Sequence, residues 1–489
     1  MNVAKKTAAI RCLFGCVFWC AVSVLSLCAK KEKLSQLYMA SRPLHHNLAL
    51  TSGVWRFAVQ EKRGDQVMVA QVVPAFQRSR DWYKNAWYFL SDDKSELSVT
   101  NAGTAPDYGG RDVWATWLGL TDASYNATLS VNPRERQAGV LVTLNQQLCA
   151  WTSWDWLRDW WYQIELPIFQ VKRDMRLVCS SKIAGQADQL YQAFVRPDLE
   201  YAHLINGPQK RTGVPCVALI LGSTYRAPYG TVVTYAAGFE IPTESKPEIK
   251  NLFQPTLGMR GTGAVIADLA IDVPLSDIAR GETRWYIALR NRFYLSNTQK
   301  RTFDLRHKPW SRYMLVHKKG SALYIPAANV LTQRAKIHPY SFFDMISGFS
   351  FTSGSFTGEI TYGLWAHAKE YIVIRSPCVE KIEPDYTQYG IMGSDPAYTA
   401  SASTIVYKAD DDTDKDGHPT FVTIKDTDID INSGVYRGGL GQRAHVAVYY
   451  RSPDCRGGIF AGIGTFYEWP HTNALLKNWG AWGTVGYEW

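Results

Sequence analysis

Apolar and polar residues alternate with a period of two along much of this chain, which predicts β-strands with one apolar and one polar face. One such run carries Asp268 and Asp272 on its polar face, and the next run carries Arg284, Arg290 and Arg292. Acidic residues on one strand and basic residues on its neighbour predict cross-strand ion pairs. A shared polar surface of this kind fits the lumen of a barrel, and it also fits the wet face of a soluble β-sandwich.

A hairpin is predicted further along the chain, where the turn 353–355 joins two alternating segments with apolar residues outside and Glu359 inside. The chain as a whole carries roughly 12 to 16 such strands, and we expect about 14, within the range that membrane barrels occupy. The predicted fold class is therefore all-β: a transmembrane, antiparallel, up-and-down β-barrel. The interval 186–206 is the one mature segment with a helical pattern, and it is interrupted at Pro197.

The last nine residues form an alternating strand with Val485, Tyr487 and Trp489 on its apolar face. A soluble sandwich strand gives the same pattern, but a terminal aromatic inside a strand is unusual because chain ends are usually polar and frayed. The segment resembles the C-terminal signal by which outer-membrane barrels are recognised for assembly. The three residues are therefore the predicted assembly signal.

The N-terminal segment predicts export. Residues 1–29 carry a basic start and an apolar middle, the pattern of a secretory signal peptide, although an N-terminal membrane anchor has a similar pattern. Residues 30–52 are polar and irregular and predict a short periplasmic tail or a plug. Residues 53–489 show no convincing linker and are predicted to form a single barrel.

Aromatic residues make up 13% of the chain, with 18 Trp, and they cluster in the segment 151–161. Outer-membrane barrels carry aromatic girdles at the two membrane interfaces, so we expect a girdle here, with a ligand-stacking surface as the alternative. The predicted girdle residues are Trp151, Trp154, Trp156, Trp160 and Trp161.

The net charge and the absence of known motifs argue against a nucleic-acid-binding protein, an enzyme and a metal site. The net charge of +9 is mild for this length, and no basic run with interleaved aromatics occurs, so nucleic acid is not an expected partner. The sequence contains neither a G-x-S-x-G nor an H-E-x-x-H motif, and we expect no enzyme and no cofactor.

The nine Cys show no metal-ligand spacing. Asp412, Asp414 and Asp416 reproduce the opening of a calcium loop but lack its closing Glu, so a solvated loop is favoured over a metal site.

The segments 297–313 and 358–366, and the end of the chain from Gly462, resemble uncharacterised Gram-negative outer-membrane barrel proteins of intracellular bacteria. A more remote resemblance is to barrels that transport hydrophobic solutes. These resemblances imply the bacterial outer membrane, with the lipid bilayer, the barrel-assembly machinery and a small-molecule solute as partners, and leave the oligomeric state open.

Three functions remain as expectations. The first is a channel or transporter for small solutes, with ion preference set by lumen-lining Asp268, Asp272, Arg284, Arg290, Arg292 and Glu359. An ion-paired wall that only holds the barrel shape is an equal alternative for these six residues. The second is a fatty-acid-transporter-like barrel for hydrophobic solutes. The third is a structural or adhesion barrel that acts through its predicted surface loops 296–338 and 378–440.

Overall fold

The structure is a computed structural model of the 489-residue chain. It describes residues 41–51, 68–90, 94–101, 112–148, 154, 157–227, 230–278, 281–306, 309–318, 324–374, 384–391, 422–452, 458–471 and 475–489. The predicted signal peptide, Trp151, Trp156 and the three residues Asp412, Asp414 and Asp416 lie outside these ranges.

Among the described residues, twelve antiparallel strands close into a barrel in which every strand pairs with its neighbours in sequence, and the last strand pairs with the first. The strands are β1 (Met68–Ser79), β2 (Arg134–Gln147), β3 (Trp160–Asp174), β4 (Cys216–Arg226), β5 (Val232–Pro242), β6 (Ala264–Ile278), β7 (Gly281–Tyr294), β8 (Ser341–Ser353), β9 (Phe356–His367), β10 (Gly439–Arg451), β11 (Gly458–Pro470) and β12 (Asn478–Glu488). A further strand, Pro208–Gly213, pairs with the end of β3 beyond the stretch that pairs with β4. The predicted up-and-down barrel is confirmed, with two strands fewer in the wall than the expected 14.

The barrel wall is apolar outside and polar inside. Large apolar side chains point outward and are exposed, among them Phe239 at 63% and Ile463 at 71%. Inward positions of the wall carry buried polar groups, such as Glu240 on β5 and Asp268 on β6. Since a closed barrel pairs its backbone groups between strands and turns an apolar surface outward, it fits a bilayer, and the chain has the fold of an outer-membrane β-barrel.

Among the described residues, no helix has the length and apolar character needed to cross a bilayer.

The two ends of the barrel differ. At one end β8 joins β9 through a two-residue turn, only two residues separate β6 from β7, and this end also holds Met68 and Trp489. The backbone N–H of Met68 donates to the carbonyl of Trp489 at 3.0 Å, and the N–H of Trp489 donates back at 3.1 Å. The other end carries long connections. The connections at the first end are on the whole the shorter ones, the longest of them spanning 148–159 between β2 and β3, and shorter connections on one side are the usual asymmetry of outer-membrane barrels, with that side in the periplasm.

The long connections fold together into a loop layer, defined here as the described residues of 80–133, 175–215, 243–263, 295–340 and 368–438. Its strands outside the wall are Glu96–Thr100, Val113–Trp114, Asn126–Ser130, Val178–Ser181, Asn297–Thr302, Asp304–Leu305, Leu315–Lys318, Tyr324–Pro326, Thr332–His338, Tyr371–Val373, Tyr389–Ile391, Val422–Thr423 and Ile429–Asp430, in addition to Pro208–Gly213. Its helices are α1 (Gln186–Val195) and α2 (Ala327–Leu331). Short 3-10 turns occur at Tyr83–Tyr88, Ala115–Leu118, Ser311–Tyr313, Tyr386–Gln388, Asp426–Asp428 and Ile431–Gly434.

The structure of the loop layer contradicts the surface loop predicted at 296–338 and contains the helix predicted within 186–206. The segment 296–338 was expected to be a polar surface loop, but it contains the paired strands Asn297–Thr302 and Thr332–His338. Its Lys and Arg residues obscured the apolar positions that pack inward, such as Ala335 and Ile337, both fully buried. The predicted helix is present as α1 and ends before Pro197, as expected from the ring's effect on the preceding residue.

Candidate functional site

The barrel lumen is lined by buried charges that pair across strands. Arg290 on β7 is 1% exposed, and its Nε and Nη2 donate to the two carboxylate oxygens of Asp268 on β6, each at 2.8 Å. Its Nη1 donates to Glu165 Oε1 at 2.8 Å, on β3 across the lumen. Planar guanidinium groups suit such two-pronged pairing with carboxylates. Arg290 therefore joins two sides of the barrel.

The other predicted lumen residues lie on the same inner face. Arg292 Nε donates to Glu240 Oε2 at 3.0 Å. Arg284 pairs with Asp272, and the hydroxyl of Tyr286 donates to Glu359. The geometry thus places all six predicted side chains at inward positions, each with a partner in the wall.

Residues 41–51 cross this lumen and form a plug. Ser41 is partly buried, and every residue from Arg42 to Thr51 is buried. Arg42 Nη2 donates to Glu468 on β11 at 2.6 Å, and the N–H of Leu48 donates to Asp344 on β8 at 3.2 Å. The segment falls within the polar interval 30–52, for which a tail or a plug was expected.

The plug also contacts the opposite wall. The hydroxyl of Ser41 donates to Glu135 at 2.6 Å and accepts from Arg173 Nη2 at 2.8 Å. The N–H of Leu44 donates to Gln137 Oε1 at 2.7 Å. Contacts with β2, β3, β8 and β11 hold the plug across the full width of the barrel.

A small cavity of about 30 Å³ lies where the plug meets the loop layer, lined in part by Ser41, Tyr294, Trp365 and Glu370. A single water needs about 10–15 Å³ of such space, so the cavity has room for only a water or two.

A much larger groove of about 850 Å³ lies on the outer side of the wall across β3 to β8. The outward-facing side chains that line it are largely apolar, and they include Leu219, Leu221, Tyr235, Phe239, Phe293 and Phe343. Its size is that of a small-molecule site, typically 300–1,000 Å³. Asn291 is a polar residue among them, and its buried Oδ1 has no hydrogen-bond partner in the described structure.

Small residues thin the wall under this groove. Gly222, Ala236 and Gly238 lie on inward positions of β4 and β5 and line the groove. A Cβ on Gly222 would lie 2.3 Å from the ring of Trp161, which packs directly on that glycine.

Trp161 departs from the predicted girdle. It is buried inside the barrel, and its indole Nε1 donates to the Thr224 hydroxyl at 3.2 Å. Neighbouring residues of a strand face opposite sides, so Trp160 and Trp161 cannot both face the lipid. Trp160 is half-buried on the outer side and lines the groove, and Trp154 is exposed outside the barrel strands.

The predicted assembly signal lies on the outer face of β12. Val485, Tyr487 and Trp489 are all exposed, and the rings of Tyr487 and Trp489 stack with centroids 5.5 Å apart. Their role in assembly stays a prediction.

Sequence reasoning found the charged strand faces and missed the plug contacts and the groove. The only sequence signal for the plug was a polar interval before the first strand. The adjacent pair His45 and His46 was visible, but its partners Cys216 and Glu240 lie about 170 to 195 residues away in sequence and are brought close only by the fold.

No protein-family model and no curated protein matches the chain. Among solved structures, it is similar to an outer-membrane channel from Pseudomonas putida F1, with 8% identity, a TM-score of 0.37, and 88% of this chain and 98% of that one covered. It is also similar to the translocator domain of the autotransporter NalP from Neisseria meningitidis, with 8% identity, a TM-score of 0.31, and coverage of 91% and 93%. A FadL homologue from Pseudomonas aeruginosa gives 7% identity, a TM-score of 0.26, and coverage of 87% and 89%. At such low TM-scores these similarities establish neither a family nor a function.

Proposed function

We propose that this barrel is an outer-membrane transporter of a hydrophobic small molecule, and that the groove across β3 to β8 is its binding site. The observation that carries this proposal is the groove itself, with a volume of about 850 Å³ and an apolar lining on the lipid-facing side of the wall. Because the groove faces lipid, its selectivity for a solute rests on shape and on its polar contact rather than on removal of apolar surface from water.

Asn291 gives the groove one polar contact. Its Oδ1 lies beneath the surface of the groove without a hydrogen-bond partner among the described residues, and its neighbours across the ladder are Ala267 and Phe343. A few polar groups within an apolar pocket commonly fix the orientation of a ligand. The proposed solute is therefore an apolar molecule that carries a single hydroxyl or acid group.

The plug makes a simple open pore a weaker proposal. Arg42, Leu44 and Leu48 each contact the wall, and these contacts occupy the lumen that an aqueous path would need. Passage of a solute through the lumen requires the plug to move.

The test fills the groove without changing the lumen. Ala237 is exposed, faces outward and lines the groove, so Ala237→Trp places a ring in it. Ala444→Trp, at an exposed outward position of β10, is the matched control. In a Gram-negative host that expresses the protein, uptake of a radiolabelled alkylphenol should fall at least about tenfold in Ala237→Trp and stay at the original rate in the control. Equal uptake by both variants would contradict the proposal.

A channel for small polar solutes is the second candidate, and the charged lumen favours it. Single-channel recording of the folded protein in a planar bilayer separates the two candidates. Stable conductance steps with the plug in place would favour the polar channel, and silence would favour the hydrophobic transporter.

The partners follow from these proposals. The outward apolar face contacts the lipid bilayer, and Val485, Tyr487 and Trp489 are the proposed contact with the barrel-assembly machinery.

A further inference from the structure

Four buried side chains with metal-binding chemistry meet where the plug touches β4 and β5. His45 and His46 belong to the plug, Cys216 begins β4, and Glu240 lies near the end of β5. One ligand atom from each of His45, Cys216 and Glu240 lies within 4.8 Å of the others. All four residues are at most 5% exposed, so water does not satisfy their polar atoms from outside.

The distances between these atoms suit a common metal ion. The Cys216 Sγ lies 3.6 Å from His45 Nε2, and Glu240 Oε2 lies 3.6 Å from His46 Nε2. Zinc bound tetrahedrally with Zn–S near 2.3 Å and Zn–N near 2.0–2.1 Å holds sulfur and nitrogen ligands about 3.6 Å apart. The Cys216–His45 pair therefore already has the spacing of two zinc ligands, and the Glu240 ligand atom lies within 4.8 Å of both.

Unpartnered polar atoms at the same place point to a ligand. Neither ring nitrogen of His46 has a hydrogen-bond partner in the described structure, and His45 Nδ1 also has none. Buried polar groups are rarely left without a partner. A contact between the Cys216 thiol and His45 Nε2 gives a partner to that one ring nitrogen only. Both ring nitrogens of His46 still lack a hydrogen-bond partner.

We propose that His45, Cys216 and Glu240 bind one Zn²⁺ ion and so attach the plug to the barrel wall, with His46 as the nearest source of a fourth ligand. Zinc accepts thiolate, imidazole and carboxylate ligands together. On binding, Cys216 loses its thiol proton, so the thiolate and the Glu240 carboxylate balance the two charges of the ion.

Arg292 fits this site as a positioning residue. Its Nε donates to Glu240 Oε2 at 3.0 Å, which orients the carboxylate. Outer hydrogen bonds of this kind commonly fix the orientation of a metal ligand.

Cobalt substitution tests the proposal through a readout that does not depend on transport. The protein, folded in detergent and stripped with a chelator, is titrated with Co²⁺ alone and then with Zn²⁺. We expect one equivalent of Co²⁺ to give a thiolate-to-cobalt charge-transfer band and the visible bands of a tetrahedral ion, and Zn²⁺ to remove both. Cys216→Ser should abolish the charge-transfer band, and His45→Gln should weaken Co²⁺ binding at least about tenfold.

Cys179 supplies the matched control, because it is the other free cysteine in the described part of the chain and lies in the loop layer. Cys179→Ser should bind Co²⁺ as the unmodified protein does. A folded protein without the band, or a Cys216→Ser variant that keeps it, overturns the proposal. If Cys216→Ser does not fold, the His45→Gln variant tests the site instead, because His45 lies in the plug and its replacement leaves the barrel wall unchanged. An unchanged Co²⁺ affinity in His45→Gln would also overturn the proposal.

Discussion

The lumen and the loop layer differ in what dominates their buried interior: a network of paired charges beside small apolar clusters in the lumen, and a large apolar cluster with a few buried ion pairs in the loop layer. In the lumen, Arg290 is held by Asp268 and Glu165, and the apolar side chains of the same strands point outward. In the loop layer, Phe194 of α1 packs edge-on against Tyr313 with ring centroids 4.9 Å apart, and both rings are buried. We call the charge-rich lumen the inverted core and the apolar interior of the loop layer the conventional core.

What lies outside each region explains the difference. The barrel wall faces lipid, so exposing an apolar side chain there costs nothing, and the lumen must satisfy the polar residues that remain. The loop layer faces water, and its stability depends on removing apolar surface from water. The stability of the lumen should therefore fall most when a charged side chain is removed, and that of the loop layer when a buried apolar side chain is shortened.

The largest expected effect comes from removing the central charge of the lumen. Arg290→Met removes the guanidinium that Asp268 and Glu165 share, and breaking one side of a buried ion pair costs about 3–5 kcal/mol. Arg196→Met is the control, since Arg196 pairs with Asp198 at the surface and surface changes usually stay within about 0.5 kcal/mol. The free energy of unfolding in urea, measured in detergent, gives both values.

A loss below about 1 kcal/mol in Arg290→Met would mean that the lumen is hydrated enough to screen its charges. The inverted core would then be a wet channel wall, and the polar-channel function would gain support.

The second prediction concerns the conventional core. Leu190 of α1 is fully buried in the loop layer, and Leu190→Ala should cost about 2–5 kcal/mol of local stability because it leaves a cavity. Hydrogen exchange followed by mass spectrometry should show faster exchange in the loop layer and unchanged exchange in β9 to β12. Val485→Ala on the lipid-facing surface is the control and should leave both regions unchanged. Faster exchange in the barrel strands as well would show that the two regions fold as one unit.

The same contrast explains how much the sequence could predict. In the wall, each strand has lipid on one side and lumen on the other, so the alternation around Asp268 and Arg290 predicted both the fold and the inward faces. In the loop layer, short strands such as Thr332–His338 bury one face within a polar segment, and their periodicity is too brief to recognise. The proposed zinc ligands His45 and Cys216 are 171 residues apart, and only the tertiary structure brings them together.

The smallest expected effect is a dependence on pH in the loop layer. Burial raises the pKa of Glu370, but the guanidinium groups of Arg260 and Arg301 lower it further, so that its pKa lies below the ordinary carboxyl value. Arg260 Nη2 donates to Glu370 at 2.6 Å, Arg301 Nη2 donates to it at 3.3 Å, and the N–H of Tyr436 donates to it at 3.1 Å, which joins the connections 243–263, 295–340 and 368–438.

Because the pKa of Glu370 is lowered on folding, its contribution to stability is complete above the ordinary carboxyl pKa and is lost as the pH falls through the lowered value. Each unit of pKa difference corresponds to about 1.4 kcal/mol. Exchange of the Tyr436 amide, corrected for its intrinsic pH dependence, should therefore accelerate in this acidic range. Glu370→Gln should remove that step, whereas Glu248→Gln, at an exposed pair with Lys250, should keep it. An acid step that persists in Glu370→Gln would show that a carboxylate other than Glu370 controls the exchange of this amide.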